Sequence, residues 1–145
     1  MRVEYEQTID VGAPAAVVWA VMSDVERWPE WTASVRDARL LEAGGLRPGQ
    51  RVRLRQPRLP SAVWTVDRVE PERAFTWSSV AAGLRSSGEH AIEGTGPDTS
   101  RVVLRLVHSG VLAGPARLLY GGLVRRYVGL EAEGLKRAAE IYRAP

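Results

Sequence analysis

The chain has 145 residues, of which 45% are hydrophobic and 26% charged, a balance typical of one globular domain spanning 1–145. It has no cysteine and two histidines, which excludes disulfides and thiolate chemistry and argues against a metal centre. A net charge of +3 is weak evidence for nucleic acid, and no apolar run is long enough to span a membrane. Since the first residues do not resemble a signal peptide, we expect a cytoplasmic protein. We also expect no cofactor.

The first part of the chain predicts one strand followed by two short helices. Alternation of polar and apolar residues over 2–10 indicates the strand. Pro14 suits the first position of a helix over 15–22, because its missing N–H costs nothing there. The sequence Ser-Asp-Val-Glu at 23–26 fits a capping box that would begin a second helix. The pair Trp28-Pro29 would end that helix, since a residue before proline avoids the helical conformation.

Six strand-like segments follow, marked by alternation or by flanking turn residues. They cover residues 32–42, 50–56, 61–69, 73–80, 84–93 and 99–109. The Gly- and Pro-containing segment 94–98 is typical of a hairpin loop joining the last two. If Ile92 pairs with Val102 in that hairpin, His90 lies opposite Leu104 and His108 opposite Ser86. The two histidines are then about 13 Å apart, at ~3.3 Å per residue, which is too far to share a metal.

From about Pro115 to Tyr142 the apolar spacing changes to three and four residues, which predicts a long amphipathic helix of about 40 Å. Its four glycines, at 121, 122, 129 and 134, indicate close packing, a bend near 121–122, or a gap left for something else. The whole order predicts an α+β fold. A curved antiparallel sheet of about seven strands would wrap around the long helix and leave an elongated apolar cavity.

A series of short motifs runs along nearly the whole chain in a recognisable order. It includes Ile9–Pro14, Asp24–Trp31, Phe75–Trp77, Glu89–Glu93 and Leu130–Arg137. In this order the motifs resemble the SRPBCC, or START-like, superfamily with the helix-grip fold, and within it the small proteins of polyketide cyclase/dehydrase type. The resemblance implies a cavity that holds a hydrophobic small molecule. It implies no particular reaction, because the superfamily shares no catalytic set.

Strand alternation predicts which side chains face the cavity. Because the charged residues on the strand 84–93 should face solvent, Ser86 and His90 should face inward. The same argument turns Leu104 and His108 inward on the next strand. The full set of predicted ligand-contacting residues is Trp64, Trp77, Ser79, Ser86, His90, Leu104, His108, Tyr120, Leu123 and Tyr127. The leading hypothesis is a carrier or sensor of a polyketide-like, aromatic or lipid-like molecule.

Two other functions stay open at this stage. In an enzyme of cyclase or dehydratase type, His90 would act as general acid or base with help from Tyr127. In a protein-interaction module of the co-chaperone kind, the outer sheet face would bind a partner. Separately, the arginines at 51, 53, 55 and 58, with Arg125 and Arg126 on the final helix, would form a patch for an acidic partner, an anionic membrane or nucleic acid. Each of these residues also has an ordinary explanation: a hydrogen-bonded core histidine, a packed tyrosine, and a solvated strand face.

Overall fold

A computed structural model describes residues 1–142 of the chain. Its elements are β1 (Arg2–Val11), α1 (Ala15–Ser23), a 3₁₀ helix (Val25–Glu30), β2 (Asp37–Leu40), β3 (Arg51–Arg55), β4 (Ala62–Glu70), β5 (Ala74–Ala81), β6 (Leu84–Gly96), β7 (Thr99–Ser109) and α2 (Ala113–Ile141). The long final helix, the two short helices after the first strand and six further strands all follow the order that the sequence predicts.

The seven strands form one antiparallel sheet in the order β1-β7-β6-β5-β4-β3-β2. Every neighbouring pair except β1 with β7 is consecutive in the chain, so the sheet is a meander with its first strand added beside its last. The long helix α2 packs chiefly against β1, and to a smaller extent against α1 and β7. This arrangement confirms the predicted α+β fold, a curved seven-stranded sheet around a long C-terminal helix.

The hairpin of β6 and β7 has the register assumed above for placing the two histidines. Ile92 pairs with Val102, His90 with Leu104 and Ser86 with His108. The register shifts only between Gly94 and Gly96, beside the loop. Because side chains alternate along a strand, this register turns both histidines toward the helix side of the sheet.

The prediction of a strand over 32–42 is wrong for its first half, since β2 begins at Asp37. The hydroxyls of Thr32 and Ser34 lie 2.7 Å apart, and the Thr32 hydroxyl also accepts a bond from the Ser34 backbone N–H. The backbone N–H of Val35 donates to the Thr32 carbonyl. These local bonds form a compact turn, which competes with strand pairing for the same backbone groups.

The predicted capping box is also wrong. Asp24 precedes the 3₁₀ helix, and no side chain caps its first turn. Glu26 instead accepts a hydrogen bond, 3.0 Å long, from the backbone N–H of Leu40 at the end of β2. The helix includes Pro29 and ends one residue later than predicted.

The glycines of α2 differ sharply in their surroundings. A Cβ at Gly134 would lie 2.1 Å from the carbonyl oxygen of Trp31, so the helix and the segment after the 3₁₀ helix approach as closely as a glycine allows. A Cβ at Gly122 or Gly129 would meet nothing within 4 Å. Of the three predicted reasons for these glycines, close packing therefore applies at Gly134.

Throughout 1–142, no helix is long and apolar enough to cross a membrane.

The largest hydrophobic cluster lies under α1 and the 3₁₀ helix. Trp28, which is 2% exposed, donates its indole N–H to the Met22 carbonyl at 3.0 Å. Its ring lies between 5.4 and 6.4 Å from those of Trp31, Phe75 and Trp77. A second, smaller cluster under the start of α2 consists of Val3, Tyr5, Ala113 and Val124.

Candidate functional site

A cavity of about 300 Å³ lies between α2 and the inner face of the sheet. This volume is at the lower end of the range for small-molecule sites. Its wall is mainly apolar and aromatic, with Trp28, Trp64, Trp77, Leu104 and Leu106 among the residues that line it. Residues of α2 and of the loop between β3 and β4 complete the wall.

The exposed residues of this wall mark the mouth of the cavity. They are Pro60 and Ser61 before β4, Ala81 at the end of β5, and Tyr120 on α2. The mouth is therefore framed by two loops and the first turns of the long helix, and the opposite end is closed by the Trp28 cluster. An elongated molecule would enter past Tyr120 and reach toward Trp77.

Nine of the ten predicted ligand-contacting residues line this cavity: Trp64, Trp77, Ser79, Ser86, His90, Leu104, His108, Tyr120 and Tyr127. Leu123 is not among the lining residues, and the adjacent Val124 lines the cavity instead. The reason is helical geometry. At 3.6 residues per turn, the lining positions of α2 centre on the direction of Tyr120 and Glu131, and position 123 lies at the edge of that face.

His90 lies in an aromatic enclosure at the closed end and is 5% exposed. Its ring stacks on Phe75 with centroids 4.2 Å apart and planes 8° from parallel. Trp77 meets it edge-on at 5.3 Å. Its Nε2 atom is 3.4 Å from Oε1 of Glu131 on α2. The packing fixes the orientation of the ring. The Glu131 carboxylate can accept a hydrogen bond from Nε2–H or stabilise an imidazolium.

Glu131 is the residue that the sequence analysis missed. Its side chain is 17% exposed and lines the cavity. Tyr120 and Tyr127, seven positions apart, define the cavity stripe of the helix, and Glu131 follows Tyr127 by four. The same spacing argument, carried one turn further, therefore places a carboxylate inside.

Tyr127 is buried, and its hydroxyl donates a hydrogen bond to the carbonyl oxygen of Pro57 in the loop between β3 and β4. The neighbouring loop residues Leu59, Pro60 and Ser61 line the cavity. The hydroxyl proton is thus engaged in holding this loop against the helix. Its oxygen keeps lone pairs that can accept a bond from a ligand.

Four nitrogen atoms on cavity-lining residues are buried and have no hydrogen-bond partner within the described part of the chain. One of them, Arg105 Nε, lies 3.0 Å from Glu4 Oε1 in an ion pair. The other three, Trp64 Nε1, His90 Nδ1 and His108 Nδ1, are left without a polar partner. Buried polar atoms are normally paired, so each such atom needs an explanation. A ligand that carries polar groups among apolar surface would satisfy them. Burial lowers the pKa of His108 below its usual value, which favours the neutral imidazole.

The arginine face considered above lies outside the cavity. Arg51, Arg53, Arg55 and Arg58 are exposed. Arg51 forms a 2.6 Å ion pair with Glu42, and Arg53 pairs in register with Arg39 of β2. Within residues 1–142, no group of three or more histidine, aspartate or glutamate side chains is arranged to hold a metal ion.

A curved sheet that closes over one long helix and leaves an apolar cavity defines a class of small domains. Residues 2–140 match the family described as polyketide cyclase/dehydrase and lipid transport, and the chain belongs to that family. No curated protein sequence gives a significant match to this chain.

Solved structures show the same fold. The Zhui aromatase/cyclase from Streptomyces sp. R1128 superimposes with a TM-score of 0.80 at 23% identity, over 97% of this chain and 94% of that one. A START superfamily protein from Mycobacterium smegmatis gives 0.70 at 21% identity, over 94% of each chain. Norcoclaurine synthase from Thalictrum flavum, in complex with dopamine and hydroxybenzaldehyde, gives 0.72 at 12% identity, over 100% of this chain and 90% of that one. At these identities the likeness establishes the fold.

Proposed function

We propose that this protein binds a hydrophobic small molecule in the cavity, as a carrier or sensor. The observation that carries the proposal is an apolar cavity of about 300 Å³ whose wall holds three unpartnered buried nitrogens. Apolar surface supplies the driving force for binding, and a few placed polar atoms supply the orientation. Membership of a cyclase and lipid-transport family supports the same class of ligand.

The polar atoms narrow the chemistry of the ligand. The Trp64 indole N–H can only donate, so it requires an acceptor such as a carbonyl or hydroxyl oxygen. A neutral His90 that donates Nε2–H toward Glu131 leaves Nδ1 as an acceptor for a hydroxyl. The rings of Trp64, Trp77 and His90 favour a flat molecule. A hydroxylated aromatic, polyketide-like compound fits these demands better than a plain hydrocarbon or a saturated lipid.

The direct test titrates the protein with 2-naphthol and follows quenching of tryptophan fluorescence, with naphthalene as the matched ligand without a hydroxyl. We expect saturable binding that is several-fold tighter for 2-naphthol. Ala116→Phe, which fills the mouth, should weaken binding at least tenfold. Leu118→Phe places the same ring on the exposed side of α2, away from the cavity, and should leave binding unchanged.

Equal binding by wild type and Ala116→Phe would show that the probe sits elsewhere and would refute the proposal. Native mass spectrometry of the protein purified from its own source, with extraction of bound molecules, then identifies the natural ligand. The cytoplasm stays the proposed location, and fractionation of the source cells tests it.

A second candidate, an enzyme of cyclase or dehydratase type, is favoured by the pairing of His90 with Glu131. In this reaction His90 Nδ1 would take a proton from a carbon beside a ligand carbonyl, and Glu131 would stabilise the resulting imidazolium. The Trp64 N–H would bond to the enolate oxygen. Tyr127 would contribute by holding the loop at Pro57, since its proton is already engaged.

The enzyme proposal is tested with the molecule recovered from the protein and with hydroxylated aromatic precursors. We expect His90→Gln to abolish turnover while 2-naphthol still binds, and Glu131→Gln to lower kcat more than it changes KM. Full turnover by His90→Ala would remove His90 from the mechanism. A protein that binds ligand and shows no turnover is a carrier or sensor.

A further inference from the structure

A second pocket lies on another face of α2, between that helix and the start of β1. Its volume is about 290 Å³, and its lining is polar. Arg2, Glu4 and Tyr5 contribute from β1, and Arg117, Gly121, Gly122 and Arg125 from α2. None of these residues lines the apolar cavity. This pocket, here called the arginine pocket, has no part in the function proposed above.

The helical side of the arginine pocket is built on a spacing of four. Arg117, Gly121 and Arg125 follow one face of α2, so one guanidinium lies a turn before the glycine and the other a turn after it. A Cβ at Gly122 would meet nothing within 4 Å, which shows that the space beside this stretch is open. Glycine in a helix interior is less favourable than alanine, so this opening is maintained at the expense of helix stability.

The charge of the arginine pocket is not balanced within the protein. Across residues 1–142, neither Arg117 nor Arg125 takes part in an ion pair. Glu4 is the one carboxylate that lines the pocket. It lies 3.0 Å from Arg105, outside the pocket, and 3.5 Å from Arg2. The pocket is therefore lined by three arginines and one carboxylate, and that carboxylate is already paired.

Tyr5 supplies an independent sign of a ligand. Tyr5 is 5% exposed, and its hydroxyl has no hydrogen-bond partner in the described part of the chain. The hydroxyl lies 3.3 Å from the place where a Cβ of residue 121 would be, so it sits at the glycine floor of the pocket. The guanidinium carbon of Arg125 is 6.0 Å from the centre of its ring. An unpaired buried hydroxyl lowers stability unless something pairs with it.

The geometry points to an anion-binding site in the arginine pocket, with phosphate monoester as the chemical class of its ligand. Guanidinium groups match the oxygens of phosphate in pairs, and such charge-assisted bonds are about twice as strong as neutral ones. Tyr5 would donate its hydroxyl to one phosphate oxygen, after a small shift of the Arg117 stem, whose Cγ lies 3.4 Å from the same Cβ position of residue 121. Arg117 and Arg125 would grip the group from either side of Gly121.

Two sources could present this chemistry. One is a free phosphate or phosphorylated metabolite. The other is the headgroup of an anionic lipid, because Leu118 and Leu119 beside Arg117 are 88% and 75% exposed and could rest on a membrane surface. Both sources of the phosphate group require the same contacts with Arg117, Arg125 and Tyr5. Variants of these residues therefore test the site itself, and the choice of probe then identifies the source.

The experiment uses the full chain and two probes. Calorimetric titration with inorganic phosphate tests the free anion, and sedimentation with phosphatidylcholine vesicles, with and without phosphatidic acid, tests the headgroup. We expect Arg117→Gln and Arg125→Gln each to weaken binding of the effective probe about tenfold. The neighbouring Arg126→Gln, which removes the same charge outside the pocket, should change it less than twofold.

Tyr5→Phe separates a built site from diffuse charge attraction. It should weaken binding several-fold without changing net charge, and thermal unfolding checks that the variant is folded. Binding of phosphate alone identifies a soluble ligand, and binding of phosphatidic acid vesicles alone identifies a membrane surface. Failure of both probes would overturn the proposal. So would equal losses in Arg117→Gln and Arg126→Gln, or unchanged affinity in a folded Tyr5→Phe. None of these outcomes bears on 2-naphthol binding in the cavity, so the two proposals fail separately.

Discussion

The two ends of the interior are built on the same sheet and the same helix, yet one is filled and the other hollow. At the closed end, Trp28 and Phe75 are 2% and 0% exposed and pack in a continuous aromatic cluster. At the open end, only a small cluster lies under the start of α2, and Tyr120 at the mouth is 37% exposed. The tightly packed end fixes the helix over the sheet, so the other end need not collapse for the protein to be stable.

Removing the central ring of the closed end should have the largest effect. Trp28→Ala should lower the free energy of unfolding by about 3–5 kcal/mol, because it leaves a cavity and an unpaired Met22 carbonyl. Urea unfolding measures the loss. Leu118→Ala, at an exposed position, serves as the control and should change stability by less than about 0.5 kcal/mol. A loss below about 1 kcal/mol at Trp28 would mean that the closed end is not tightly packed.

The second prediction compares two glycines of α2. Gly134→Ala should destabilise the protein by about 1–3 kcal/mol, since the new methyl group would meet the Trp31 carbonyl oxygen. Gly129→Ala meets nothing and should stabilise by up to about 1 kcal/mol through helix propensity. Thermal unfolding of both variants tests whether contact at the closed end, rather than helix propensity, decides the outcome. The same sign for both would contradict this.

A smaller effect is expected at the open end. Tyr127→Phe removes the hydroxyl that bonds to Pro57 and should cost about 1 kcal/mol of stability. Hydrogen exchange should show faster opening in residues 56–61, with Trp28 and its neighbours still protected. If exchange speeds up equally at both ends, the loop is not an independent unit and the contrast between the ends is weaker than the packing indicates.

The smallest effect concerns His108. Because burial lowers its pKa, the unfolded state takes up a proton more readily than the folded state. Above pH 6.5, the ordinary pKa of histidine, His108 is neutral in both states and does not reduce the free energy of unfolding. As the pH falls below 6.5, the unfolded state is protonated first and the free energy of unfolding decreases, until the pH is below the lowered pKa of the folded state. His108→Gln should therefore lose less stability than wild type on acidification from pH about 8 to about 5. Parallel pH profiles for the two proteins would contradict the assignment.

Most of the fold could be predicted because hydrophobic spacing reports directly on which side of an element is buried. The hairpin of β6 and β7 was predicted from its turn residues, and the register assumed for it, Ile92 opposite Val102, is the one observed. The errors arose where side chains bond to nearby backbone. Thr32 and Ser34 form a turn in place of a strand, and Glu26 reaches β2 in place of its own helix end. Such choices between local and distant partners depend on geometry that spacing does not contain.

The cavity wall was predictable for the same reason, and its polar details were not. Position 131 belongs to the inward stripe of α2, but a carboxylate there looks like a surface residue until His90 is known to face it at 3.4 Å. The hydrogen bond from Tyr127 to Pro57 joins residues 70 positions apart, and no local pattern indicates it. Long-range polar contacts are what the sequence analysis could not supply.

The contact between Glu26 and the backbone N–H of Leu40 has a consequence for self-association. β2 is an outer strand of the sheet and has four residues, and open strand edges recruit further strands into aggregates. By accepting the bond from Leu40, the Glu26 carboxylate occupies a donor that an incoming strand would need, and it brings a negative charge to the same place. The 3₁₀ helix thus hinders the addition of a further strand at this edge of the sheet. This protection matters because the mouth of the cavity exposes apolar side chains to other protein molecules.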